Sequence, residues 1–152
     1  MMFDKLCVEK ILKGEKTVTR RIKRNNRRPA IPGKVHKIKV DRTDKTYGYI
    51  YIQSCTIENT IWPVSHAEAM REGFDNAFDF QKYWLSKNKP YNDEPIWRVE
   101  FDLIVPTIYG DALINGKMKC LNIKKETLID AINNCDKSEL EKEIAQQING
   151  DD

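Results

Sequence analysis

The sequence predicts an α+β domain in which short helices flank a mixed set of strands. Three observations lead there. Trp97, Val99, Phe101 and Leu103 alternate with Arg98, Glu100 and Asp102, as in a strand with one apolar face. Residues 47–58 also read as extended, with Tyr47, Tyr49 and Tyr51 on one face and Gly48, Ile50 and Ile52 on the other. At the start of the chain the period changes, and Phe3, Leu6, Cys7 and Ile11 recur at helical spacing.

Taken in order, residues 3–13 form an amphipathic helix closed by Gly14. The β-branched Thr17, Val18, Thr19 and Ile22 then favour a strand. Its alternation turns Val18 and Ile22 into a core and Thr17, Thr19 and Arg21 to the other side. Residues 23–28, Lys-Arg-Asn-Asn-Arg-Arg, make a polar basic loop that is either disordered or a phosphate-contacting flap. Pro29, Pro32 and Gly33 punctuate a turn before a strand over 35–41, and residues 41–45 are a hairpin connection to the tyrosine strand. Those tyrosines either stack on bases or pack beneath a helix. Ser65 and Glu68 have the form of a capping box, and Gly73 sits where a helix ends. Asp75 or Asn76 caps a second helix with Ala77, Phe80 and Trp84 on one face. Residues 89–94 are loop, and the alternating strand follows. Beyond it, Asn115-Gly116 marks a tight turn, with 117–123 extended after it. Leu128, Ile129 and Ile132 suggest a helix. Ser138 with Glu141 is another capping box, ahead of a Leu140, Ile144 and Ile148 stripe.

At 152 residues the chain suits one domain with an appendage, divided at 1–105 and 106–152. No apolar run approaches the roughly 20 residues of a membrane span. Asp4, Lys5, Glu9 and Lys10 interrupt any signal peptide, so a cytoplasmic location is expected. Cys7, Cys55, Cys120 and Cys135 are scattered, and His36 and His66 add no metal-ligand spacing; reduced thiols, no metal and no cofactor are expected. The net charge is only +3, but residues 1–45 hold 15 of the 26 lysines and arginines and 5 of the 23 acidic residues. That segment is therefore +10 and the remainder −7, which suggests one surface facing a polyanion.

The stretch Gly14-Glu15-Lys16-Thr17-Val18-Thr19-Arg20-Arg21 brings a hydroxyl, an ammonium and a guanidinium close together. Lysines beside turns are usually solvated and threonines are ordinary strand residues, so spacing alone is weak evidence for catalysis. The order Gly14-x-Lys16-x-x-Thr19-x-Arg21, then Pro32-Gly33, then Glu72-Gly73-Phe74, resembles the ASCH domain family over residues 1–105. The resemblance implies a PUA-like mixed β-barrel flanked by short helices, closed by the strand at 97–103 and carrying a C-terminal helical appendage. It implies a protein that acts on RNA or a modified nucleoside.

Among such proteins the pattern is similar to that of the bacterial N4-acetylcytidine amidohydrolases. Carried over by position, their catalytic residues fall on Lys16, Thr19 and Glu72. In that reading Thr19 is the nucleophile, Lys16 takes its proton, and Glu72 protonates the departing amine. Arg21 holds the substrate or steadies the oxyanion. Arg20, Lys23, Arg24, Arg27 and Arg28 form a nucleic-acid-binding cluster. The alternatives are a non-catalytic or nucleolytic RNA-binding module, and a protein-interaction domain that works through its C-terminal helices.

Overall fold

The computed structural model describes residues 1–40, 44–88, 94–106, 111–114, 117–121, 123–134 and 136–150. Five strands form the main sheet: β1 (Met2–Phe3), β2 (Val18–Ile22), β3 (Val35–Val40), β4 (Thr46–Glu58) and β5 (Ile96–Leu103). Their order is β1-β3-β4-β5-β2. β1 runs parallel to β3 and the other pairs are antiparallel, so the sheet is mixed. Three helices accompany it, α1 (Lys5–Leu12), α2 (His66–Arg71) and α3 (Ala77–Lys87). The fold is α+β, and the sheet is a half-barrel whose edge strands are β1 and β2. β5 is an inner strand that joins β4 to β2, and its alternating residues carry the barrel core.

That core gathers Phe3, Cys7, Val8 and Ile11 from β1 and α1 against Ile38, Ile50, Ile52, Cys55, Trp97, Val99 and Phe101 of the sheet. A second cluster, Ile61, Ala69, Phe80, Trp84 and Ile96, packs α2 and α3 against the opposite side of β5. β2 therefore lies between two cores. Register settles its parity: Thr19 lies opposite Val99 and Arg21 opposite Trp97, so both face the barrel interior. Val18 is fully buried on the other face, and Ile22 packs into the α2–α3 cluster. The sequence reading paired these residues correctly but recognised only one of two buried faces.

Local caps explain the helix limits. Asp4 accepts from Cys7 N at 2.8 Å and starts α1, which places Phe3 outside the helix and in β1. Ser65 accepts from Glu68 N at 3.1 Å, but the Glu68 carboxylate does not return to Ser65. It binds arginines instead, so the capping box is half made. Asn76 caps α3 through Asp79 N at 2.8 Å.

Past the main sheet, β6 (Val105–Pro106), β7 (Asp111–Ile114) and β8 (Lys117–Cys120) form a small antiparallel sheet. Ile114 pairs with Lys117; the Asn115-Gly116 turn itself lies outside the described residues. So do residues 41–43 and 89–93 of two expected loops. α4 (Lys125–Asn134) and α5 (Ser138–Asn149) follow. Leu140, Ile144 and Ala145 of α5 pack on Val35 of β3, Tyr49 of β4 and Ile104, with Tyr51 beside them. Two tyrosines of the expected aromatic face thus lie beneath a helix. Burial of each large apolar side chain there contributes about 1.5–3 kcal/mol. Asn149 extends the seam, accepting from Val35 N at 2.6 Å and donating to Val35 O at 3.1 Å as a neighbouring strand would. The second capping box does not form. Ser138 donates its hydroxyl to Asp136 at 2.6 Å, and the N-cap position is Lys137.

Candidate functional site

The Lys16 turn is stitched to the end of α2 before any functional side chain is considered. Gly14, at φ +77°, reverses the chain after α1. The amides of Glu15 and Lys16 then donate to Lys10 O at 2.9 and 3.2 Å. Thr17 N donates to Arg71 O at 2.8 Å, and Phe101 N donates to Thr17 O at 2.9 Å. Lys16 is thereby set against the residue after Arg71, which is Glu72. Gly73, at φ +94°, ends α2, and a Cβ on it would stand 2.8 Å from Lys10 Cδ and 3.4 Å from Lys16 Cβ. The left-handed backbone favours glycine there, and a larger residue would have to displace the Lys10 stem.

Lys16 and Glu72 are each 3% exposed. Lys16 Nζ donates to Val18 O at 2.9 Å, Glu72 O at 3.1 Å and Glu72 Oε2 at 2.7 Å, which occupies all three ammonium donors. The second Glu72 oxygen, Oε1, accepts from Arg20 Nη1 at 3.0 Å. Arg20 Nη2 donates to Glu68 and, at 3.4 Å, to Glu58. Arg98 joins Glu68 through Nε at 3.0 Å and Nη2 at 2.9 Å, and Arg71 bonds Glu100. The hydrogen bonds from Arg98 are the largest cause that holds the Glu68 carboxyl down to about 2; burial opposes them and Arg20 assists.

Arg20 therefore does not stand on the surface with the other basic residues. It is buried as the second cationic partner of Glu72, while Arg21 takes the opposite face. Arg21 Nη2 donates to Met2 O at 2.5 Å and its guanidinium lies over the Phe3 ring, linking the two edge strands. Of the basic segment, Lys23 Nζ donates to Asn26 Oδ1 at 2.7 Å, and Arg27 N donates to Asn25 Oδ1 at 2.8 Å in an Asx turn. Arg24, Arg27 and Arg28 are exposed.

A cavity of about 590 Å³ opens between the edge strands. Lys16, Thr19 and Glu72 all border it, with Arg20, Arg21 and Arg24. Thr19 is 5% exposed, and its hydroxyl takes no part in the bonds that occupy Lys16 and Glu72. The far wall comes from Phe3 and from Phe80, Tyr83 and Trp84 of α3. Tyr83 OH donates to Asp4 Oδ2 at 2.6 Å and lies 3.6 Å from Cys7 Sγ. Burial, then the Asp4 carboxylate, push the tyrosine far above its ordinary range and keep it a hydroxyl. Asp4 shifts the other way: burial alone would raise it, but the bonds from Tyr83 and Cys7 outweigh that and lower it. Two buried donors, Arg20 Nε and Trp84 Nε1, find no acceptor among the described residues, and both belong to side chains of this wall.

The sequence reading missed this wall. Asp4 and Tyr83 meet across 79 positions, which no local pattern announces. Cys7 and Cys55 are free and buried, and no cluster of His, Cys, Asp or Glu among the described residues could hold a metal. No described helix is long and apolar enough to cross a membrane.

A mixed half-barrel with helices against both sides of its edge strand is an α+β fold, consistent in its architecture with PUA-like domains. More particularly, the fold is that of an ASCH domain. The ASCH domain of Lactobacillus crispatus superposes with a TM-score of 0.54 over 64% of this chain and 70% of its own, at 17% identity. The ASCH structure from Zymomonas mobilis aligns over 88% of this chain and 92% of its own, at 17% identity and a looser TM-score of 0.45. No protein-family model and no curated protein matches the sequence.

Proposed function

We propose that this domain is an amidohydrolase that removes the acyl group from the exocyclic amine of an N4-acylated cytidine, with Lys16, Thr19 and Glu72 as its catalytic residues. One observation carries the reading: a buried Lys16–Glu72 pair at 2.7 Å borders the same cavity as Thr19. The volume of about 590 Å³ lies within the usual range of small-molecule sites, roughly 300–1,000 Å³.

The chemistry follows from the pair. Proton transfer from Lys16 Nζ to Glu72 Oε2 leaves a free amine and a carboxylic acid. The amine takes the Thr19 proton as Oγ1 attacks the acyl carbon, and the carbonyl electrons move to oxygen. Collapse of that adduct breaks the carbon–N4 bond while Glu72 protonates the departing nitrogen. A second proton transfer from Lys16 to Glu72 frees the amine again, and it takes a proton from water as the oxygen attacks the threonine ester. Collapse breaks the ester bond, releases the acid and returns the Glu72 proton to Thr19 Oγ1, restoring the ammonium–carboxylate pair. Arg20 keeps Glu72 in place, and Arg21 holds the substrate at the mouth.

The test is release of cytidine from N4-acetylcytidine by the purified protein. Thr19→Ala loses that activity while its circular dichroism is unchanged, and Thr19→Ser keeps part of it. Wild-type protein inert on acylated cytidine, free or within RNA, overturns the proposal.

A second reading, an RNA-binding module without catalysis, draws on the exposed Arg24, Arg27 and Arg28 and on Arg24 reaching the cavity. It uses the same opening and dispenses with the chemistry.

A further inference from the structure

The charges that line the cavity are sorted by depth. The buried cations, Lys16 and Arg20, are matched by Glu72, Glu68 and Glu58. Besides the Met1 amino group, which bonds Lys37 O, three further cationic side chains line the cavity and come from three places in the chain: Arg21 on β2, Arg24 in the basic segment and Lys87 at the end of α3. Arg21 is half-buried, and Arg24 and Lys87 are exposed. Among the described residues none of the three forms an ion pair with a carboxylate. Asp4 is the acidic group nearest to them in the wall. Its oxygens accept from Cys7 N and Tyr83 OH, and its charge interacts with Lys87, so Arg21 and Arg24 are the two of the three left without a carboxylate among the described residues of the wall. Arg21 uses one nitrogen on Met2 O, which leaves the rest of its guanidinium fork for other acceptors.

A neutral nucleoside has no use for that arrangement. Clustered cations at a low-dielectric opening raise the local concentration of an anion, and guanidinium forks fit the oxygens of a phosphate. We infer that the cavity takes a cytidine nucleotide: the base lies inside against the α3 aromatics, and the phosphate sits at the mouth between Arg21, Arg24 and Lys87. This rests on the nucleoside reading above and names its substrate class. The phosphate could belong to a free nucleotide or to RNA, and the ligand series separates the two.

Binding is measured by calorimetry or by chemical-shift titration at low salt. The ligands are cytidine, cytidine 5′-monophosphate, inorganic phosphate and a short oligocytidylate. The monophosphate binds at least about tenfold more tightly than cytidine, and the double variant Arg24→Ala, Lys87→Ala brings that ratio to about one. Each single variant gives an intermediate ratio, which guards against a folding defect in the double. An oligonucleotide tighter than the monophosphate, through the same two side chains, supports the phosphate site and assigns it to RNA. A monophosphate as tight as the oligonucleotide supports it and assigns it to the free nucleotide. Equal affinity for cytidine and its monophosphate overturns the inference, as does a phosphate advantage that survives the double variant. Hydrolysis is followed in parallel on acylated nucleoside and nucleotide. No turnover with the phosphate preference intact removes the amidohydrolase reading alone. Turnover with no preference removes this inference alone.

Discussion

Replacing Glu72 by glutamine keeps its shape and removes the carboxylate shared by two almost fully buried cations. The Lys16 and Glu72 side chains are 2% and 4% exposed, and that of Arg20 is 3%. Deleting one member of a buried pair costs about 3–5 kcal/mol, because the remaining charge is left without compensation. Here the lower end applies. Arg20 retains Glu68 and Glu58, Lys16 retains two carbonyls, and the glutamine oxygen still accepts one bond. Glu72→Gln should therefore lose about 3 kcal/mol. Lys16→Met should lose less, about 2 kcal/mol, since Arg20 continues to hold Glu72 Oε1.

The double variant removes both charges together. Its loss should fall short of the sum of the two by at least about 1.5 kcal/mol, the coupling expected of contacting groups. Urea denaturation of the four proteins measures this, with the slopes compared to confirm two-state unfolding. A domain of ordinary stability, about 5–15 kcal/mol, stays folded in all four at low temperature. Additive losses, or a Glu72→Gln loss below about 1 kcal/mol, would mean that water screens the pair. That outcome refutes the burial argument and with it a lysine amine poised against Glu72 for proton exchange.

Three other expectations follow from the same geometry. Gly73→Ala should cost about 2 kcal/mol, from the left-handed backbone and the displaced Lys10 stem; an unchanged urea midpoint would show that the turn relaxes freely. Glu68, with a folded value of about 2 against an ordinary 4.5, stabilises fully above pH 4.5 and loses that contribution as pH falls towards 2. The melting temperature of wild type should thus fall more steeply over that window than that of Glu68→Gln, and parallel curves would refute the assignment. If residues 23–28 track RNA, changing Lys23, Arg24, Arg27 and Arg28 to alanine should flatten the log–log salt slope of binding by up to about 3, at roughly 0.7 per phosphate contact; identical slopes would leave the loop a solvated connection.

What could be read from the sequence was local or periodic. Gly14, Ser65, Asn76 and Gly73 mark chain reversals and caps that a few neighbouring residues decide, and they stand where their spacing placed them. The alternation at Trp97, Val99 and Phe101 and the helical stripe at Leu140 and Ile144 are likewise properties of single elements, which packing then used. β1 escaped because two residues carry no period; it exists only through its parallel pairing with β3. The Asp4–Tyr83 bond and the amide of Asn149 on Val35 escaped because they join distant segments.

Arg20 and Arg21 show the deeper limit. A strand places consecutive side chains on opposite faces, so the sequence requires that the two arginines part. It does not say which one meets the glutamate, because that depends on which face α2 covers. A half-exposed strand would have resolved the question by polarity, since the buried face would be the apolar one. β2 has a core on each side, and Val18, Thr19 and Arg20 are all buried, so polarity does not discriminate. What decides is the bond from Thr17 N to Arg71 O, which draws α2 onto the Val18–Arg20 face and sets Glu72 between Lys16 and Arg20. The second cation of the site is thus chosen by docking of a helix, one residue away from the arginine that the motif itself singles out.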